Sequence, residues 1–186
     1  MRFHWICFTR SLLTTIKFLC CYNIINFKYQ DGILNNETNM DLGLNNKLAI
    51  VTGAARGIGA ATAQAFINEG AKVLLIDLND EVKQFADKIG GSSLVCDLTD
   101  INADEKVATA ANKLGGASIL INNAGISKPL PFKEITDENW SSVMDVNLGI
   151  AFRLTRCLWS QLSASNGSIV NLASFASKRS TLFGNN

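Results

Sequence analysis

Histidine is almost missing from this chain. The single one, His4, sits at the extreme N-terminus, which excludes a histidine general base or metal ligand inside any fold built from later residues. A surplus of charge is missing too: the net charge is +1, so no bulk attraction to nucleic acid or an acidic surface is predicted. The five cysteines, Cys7, Cys20, Cys21, Cys96 and Cys157, are odd in number and contain no C-x-x-C pair. That argues against a disulfide framework or a zinc site, predicts no metal, and points to a reducing, cytoplasmic location. Long apolar runs are absent as well. The stretches around Leu12-Leu13 and from Ile16 to Tyr22 are interrupted by Lys17 and Asn23, too soon for a membrane-spanning helix. What remains is a chain of 186 residues, 47% hydrophobic and 18% charged, which suits one globular domain with its own core.

Two segments differ in style. Up to Tyr29 there is no acidic residue, while Arg2, Arg10, Lys17 and Lys28 are present, and seven of the fifteen aromatics fall within residues 1–46. Asn is frequent from Asn23 to Asn46. An organelle transit peptide over residues 1–39 would place the protein in mitochondria. The favoured expectation is an extension, 1–46, that is disordered or no part of the mature protein, because Met40 lies just before "LGLNNKLAIVTG". From Lys47 onward the charges balance, and 47–186 reads as one domain.

In that domain "LAIV" (48–51), "KVLLI" (72–76), "SLVC" (93–96), "SILI" (118–121) and "SIVNL" (168–172) are short runs rich in Val, Ile and Leu. Each reads as a strand buried on both faces, as in a parallel sheet. Ile58, Ala61, Thr62, Ala65 and Phe66 recur at helical spacing before Gly70. Further helices are predicted over Glu81 to Ile89, Asp104 to Leu114, and Thr136 to about Leu162, the last with Thr136 as N-cap. Strand and helix alternating in this way define a doubly wound α/β fold with five strands and four helices.

Ligands of such sheets bind beyond the carboxyl ends of the strands. The first strand ends in "TGAARGIG" (52–59), where Gly53 permits a tight turn and Gly57 and Gly59 admit a pyrophosphate and a close helix. The second ends at Asp77, whose carboxylate suits the two ribose hydroxyls of an adenosine and would repel a 2′-phosphate. The third ends "CDLTD", with Asp97 either at an adenine edge or serving as a turn residue. The fourth ends "NNAG" (122–125), which suits backbone close to a ribose and an Asn holding neighbouring strands. On the last helix Asn147 shares the stripe of Val143, Met144, Ala151, Leu154 and Leu158. A buried amide there must satisfy its hydrogen bonds, either on local backbone or on a catalytic water. The fifth strand ends at Ser174, a hydroxyl facing the same crevice.

In order and spacing, "TGAARGIG", Asp77, "DLTD", "NNAG", "VNLGIAF" and "GSIVNLAS" resemble the N-terminal part of a short-chain dehydrogenase/reductase. The resemblance implies a Rossmann-type fold and NAD(P)-dependent oxidoreduction of a small alcohol or ketone, with NAD favoured over NADP by Asp77. It further implies that Gly53, Arg56, Gly57, Ile58 and Gly59 line the pyrophosphate. Asp77 and Leu78 would hold the adenosine ribose, and Asp97 and Leu98 would flank the adenine. Asn123, Ala124 and Gly125 would face ribose and nicotinamide, Ser174 the substrate oxygen, and Asn147 a relay water.

The chain departs from the family pattern at one place that matters. The family uses a Tyr as general acid/base and a Lys in a Y-x-x-x-K arrangement, yet the only tyrosines here are Tyr22 and Tyr29. The family's spacing from Ser174 would put the Tyr just beyond Asn186. The chain is therefore expected to be an inactive fragment of an oxidoreductase whose full-length form is a homo-oligomer. The alternative is a non-catalytic dinucleotide-binding protein with a regulatory role.

Overall fold

The computed structural model describes residues 41–174 and the backbone of one strand near the N-terminus, β1, Arg2–Phe8. Five further strands follow, β2 (Leu48–Thr52), β3 (Lys72–Asp77), β4 (Ser92–Val95), β5 (Ala117–Asn122) and β6 (Ser168–Ser174). All pairings are parallel, in the order β1-β6-β5-β2-β3-β4. Between them lie α1 (Gly57–Asn68), α2 (Glu81–Ile89), α3 (Ala103–Lys113), α4 (Asp137–Met144) and α5 (Ile150–Ala164). The Rossmann-type doubly wound architecture is thus present.

Its cause is visible along the central strands. In β2 every residue is buried, and successive side chains point to opposite faces. Leu48 and Ile50 join one core with Val107 and Ala111 of α3 and Leu154, Leu158 and Leu162 of α5. Ala49 and Val51 join the other, with Ala63 of α1 and Val82, Ala86 and Ile89 of α2. A fully buried Leu contributes about 1.5–3 kcal/mol, and Leu48, Leu154, Leu158 and Leu162 are all of this kind. β4 departs from the expected two-sided burial: it lies at the edge of the sheet and Val95 is exposed.

The long helix expected from Thr136 to about Leu162 is in fact three pieces. Thr136 does cap it, its hydroxyl accepting from the Asn139 N–H while the Asn139 carboxamide accepts from the Thr136 N–H. After α4, however, residues Asp145–Gly149 widen into a π turn before α5 begins. Such one-turn bulges re-aim the side chains they carry, and Asn147 is among them. Asn147 is consequently exposed toward the strand ends, whereas the helical stripe predicted a buried amide. Met144, counted on that stripe, is part-exposed as well.

β2, β3 and β4 run outward in one direction, and β5 then returns to the other side of β2. The point of reversal lies between the carboxyl ends of β2 and β5, where open sheets form their ligand crevice. At the far side β1 lies along β6, from Arg2 beside Ser168 to Phe8 beside Ser174. The sequence reading placed these residues outside the domain. The backbone of Arg2–Phe8 occupies the edge of β6. The transit-peptide expectation concerns mostly residues 9–39, which lie outside the described residues, as does 175–186.

Candidate functional site

At the reversal point a single hydroxyl organises two loops. Thr52, the last residue of β2 and fully buried, accepts hydrogen bonds at Oγ1 from the N–H groups of Asn123 (3.0 Å) and Ala124 (2.9 Å). It donates to the Ile121 carbonyl at 3.3 Å. Asn123 returns the tie, its Nδ2 donating to the carbonyls of Thr52 (2.8 Å) and Gly53 (2.9 Å). The "TGAARGIG" and "NNAG" loops are thereby one unit. Gly53 has φ +64°, a left-handed value that favours glycine. Gly59 is required for a different reason: a Cβ there would run into the Gly53 carbonyl and lie 2.6 Å from Asn123 Nδ2.

Asp77 closes the loop on its other side. Its Oδ2 accepts from the Ala55 N–H at 2.9 Å and its Oδ1 from the Asn79 N–H at 2.9 Å. Arg56 is the N-cap of α1, and the first turn of that helix carries no acidic side chain. The N–H groups of Gly57, Ile58 and Gly59 therefore open the positive end of a helix dipole beside the loop.

A cleft of about 790 Å³ runs along these strand ends, within the range of cofactor pockets. Of the predicted residues, Gly53, Arg56, Asp77, Leu78, Asp97, Leu98, Asn123, Ala124 and Gly125 all line it. Gly57, Ile58 and Gly59 are not among the residues that line it. Asp97 takes the turn geometry that the sequence left open: its Oδ1 accepts from the Thr99 hydroxyl at 2.7 Å and the Thr99 N–H at 2.9 Å. Those two bonds hold its carboxyl below the usual range. Burial pushes the thiol of Cys96, another cleft residue, up.

Asn147 spends both ends of its carboxamide on one residue. Oδ1 accepts from the Ile126 N–H at 2.8 Å and Nδ2 donates to the Ile126 carbonyl at 3.0 Å. It also packs on Gly125, where a Cβ would approach Oδ1 to 3.2 Å. It lines a second, smaller hollow, of about 20 Å³, with Asn122 and Asn171. There the Asn122 Nδ2 donates to the Asn171 Oδ1 at 2.8 Å, the strand-holding amide expected from "NNAG". Ser174 is exposed at the end of β6 and lines neither hollow.

Sequence reasoning missed Thr52, although it stands in the quoted loop, because the partners of its hydroxyl, at 121, 123 and 124, are distant in sequence. It also missed Lys128, which lines the cleft and donates to the Ser142 hydroxyl at 3.0 Å. No local pattern marks either residue. Among the described residues there is no cluster of side chains that could hold a metal ion, and no helix long and apolar enough to cross a membrane.

A glycine loop opening a helix, an acid at the next strand end and a crevice at the reversal point are the features of a Rossmann-type fold. The short chain dehydrogenase family profile matches residues 47–185, and the chain belongs to that family. It is 36% identical over 144 residues to a D-threitol dehydrogenase of Mycolicibacterium smegmatis, covering 73% of this chain and 55% of that protein. An NAD-dependent glycerol dehydrogenase of Listeria innocua is 36% identical over 142 residues, 74% of this chain and 56% of the relative. A galactitol 2-dehydrogenase of Agrobacterium fabrum is 39% identical over 142 residues, 73% of this chain and 56% of the relative. The chain thus spans about half the length of these curated relatives.

Proposed function

We propose that residues 47–186 form the cofactor-binding part of an NAD-dependent oxidoreductase that interconverts a secondary alcohol, of polyol type, and a ketone. The observation that carries this reading is Asp77, whose carboxylate stands at the end of β3 in the same cleft as the glycine loop. A second acceptor position on each of its oxygens remains for ribose hydroxyls, and its charge opposes a 2′-phosphate. Arg56 is the competing influence, since a cation by the loop suits that phosphate. We weigh Asp77 more heavily because the end of this strand is where the ribose hydroxyls are expected.

The residues present fit a dinucleotide. The open first turn of α1, with Gly53, Arg56, Gly57, Ile58 and Gly59, would take the pyrophosphate. Asp77 and Leu78 would hold the ribose, and buried Leu98 with Asp97 would flank the adenine. Asn123, Ala124 and Gly125 would border the nicotinamide end. When bound, the cofactor supplies hydride transfer chemistry. Ser174 would hydrogen-bond the substrate oxygen. Asn147 fixes the Ile126 loop and keeps one amide hydrogen and one lone pair for a relay water.

Neither Ser174 nor Asn147 exchanges a proton near neutral pH, and the tyrosines are confined to positions 22 and 29. General acid–base catalysis contributes about 10²–10⁴-fold, so this chain by itself should bind cofactor without turnover. The same tyrosine placement supports the second reading, a non-catalytic dinucleotide-binding protein. Exposed Trp140, Leu148, Phe152 and Trp159 on α4, the π turn and α5 support association of copies in a full-length form. The odd cysteine count supports a cytoplasmic location.

The test is fluorescence titration of the chain with NADH and NADPH, followed by NAD reduction assays with threitol, glycerol and galactitol. Equal or tighter NADPH binding would sink the assigned preference. Measurable polyol oxidation by the 186-residue chain would show that an acid/base group has been overlooked.

A further inference from the structure

Arg153 of α5 does something that neither its sequence neighbourhood nor the cofactor reading calls for. Its guanidinium reaches two separate segments of the chain, one of which, at Leu98, lines the cleft. Nη1 donates to Asp145 Oδ1 at 2.5 Å, and Nη2 lies 3.4 Å from Asp145 Oδ2, a forked pairing. The same Nη2 donates to the Leu98 carbonyl at 3.2 Å. Asp145 is the first residue of the π turn, and Leu98 is a buried residue of the loop after β4.

The π turn in turn holds a second segment that lines the cleft, at Ile126. Two residues beyond Asp145, the Asn147 carboxamide grips both backbone groups of Ile126. Val146 and Ile150, on either side, form part of the cleft wall itself. A connected path therefore runs from Leu98 through Arg153 to Asp145 by polar contacts, and from there along two residues of backbone to Asn147, which holds Ile126.

An independent observation supports the assignment. Gly149 lies directly under the ion pair. A Cβ built there would come to 2.6 Å from Asp145 Oδ1 and 3.1 Å from Arg153 Nη1. Asp145, Gly149 and Arg153 are spaced four residues apart, so one helical face carries carboxylate, gap and guanidinium in sequence. The gap lets the pair lie flat against the backbone.

We propose that Arg153 is a positioning residue of the cofactor cleft: with Asp145, over Gly149, it clamps the Leu98 loop to the π turn that presents Asn147. The functional part of this assignment rests on the cleft being the cofactor site. One guanidinium then sets the distance between the wall expected to flank adenine and the turn bordering the nicotinamide end. The two side chains are only partly shielded, so the pair contributes little to global stability. Its effect is local and geometric. Lysine cannot replace it, because a single ammonium lacks the planar fork that serves a carboxylate and a carbonyl together.

Amide hydrogen exchange on the 186-residue chain tests the clamp without any cofactor. Arg153→Met should raise exchange about tenfold or more in two separate segments, 98–103 and 145–150, since charge-assisted hydrogen bonds are lost at both. Arg153→Lys should fail to restore protection at 98–103. Gly149→Ala should reproduce the pattern with the arginine in place, which keeps the test open if Arg153→Met folds poorly. Faster exchange confined to 145–150, with 98–103 unchanged in all three variants, would overturn the proposal and reduce the pair to a local helix contact. NADH titration of the same variants forms the second arm, with several-fold weaker binding expected. A wild-type chain that binds no NADH would count against the cofactor reading, while the exchange data would still decide the clamp.

Discussion

Replacing Thr52 by valine removes one oxygen from the place where the loops after β2 and β5 meet, at nearly constant volume. That oxygen accepts two backbone N–H groups, from Asn123 and Ala124, and donates once, to the Ile121 carbonyl. An unmet buried donor costs about 1–3 kcal/mol. The two donors are part-buried, which sets each near the lower limit, and the carbonyl bond is long. The loss is then about 2–3 kcal/mol, offset by about 0.8 kcal/mol for the extra buried methyl. The net destabilisation expected is about 1–2 kcal/mol, a large share of the about 5–15 kcal/mol typical of a domain. With a urea slope of about 1–3 kcal/mol per molar, the midpoint should fall by roughly 0.3–2 M.

Thr52→Ser is the control. It keeps the hydroxyl and loses the methyl, so it should be destabilised by a similar amount for the opposite reason. Exchange of the amides at 123 and 124 separates the two variants: it should rise in Thr52→Val beyond the global change and stay protected in Thr52→Ser. A valine variant as stable as wild type, or equal protection of those amides in both, would refute the role given to this hydroxyl.

Gly59→Ala should cost about 1–3 kcal/mol through overpacking against Gly53 and Asn123, read as a lowered thermal midpoint. Asp77→Ala should narrow the difference between NADH and NADPH affinity in fluorescence titration and loosen the Ala55 amide that it accepts from. The Thr99 hydroxyl and amide hold the Asp97 carboxyl down, so its stabilising contribution is present above the ordinary carboxylate range and lost as pH falls through the lowered value. Thr99→Val should move that titration upward, as followed by NMR of the Asp97 carboxyl carbon. Deleting residues 1–39 strips β6 of its partner strand and should raise amide exchange over 168–174. Unchanged exchange there would show that the edge does not depend on Arg2–Phe8.

The sequence by itself determined the layers of this protein. Runs such as "LAIV" and "KVLLI" are apolar at every position, which only a strand covered on both faces tolerates. The helices between them repeat their buried residues every three or four positions. Asp77 and the glycines could be placed because a strand end followed by a helix start is a local event. Tertiary structure decided what depends on residues far apart in the chain. Thr52 and Asn123 meet only because β5 returns beside β2. The helical pattern around Asn147 gave no sign of the π turn, because an added residue in one turn leaves the stripe on either side intact. Arg153 finds Leu98 across fifty-five positions. β1 joins β6 by backbone hydrogen bonding, which any sequence able to extend can offer. Local periodicity reports which face of an element is buried. It carries no record of which distant atoms will satisfy a hydroxyl, an amide or a guanidinium once the faces have packed.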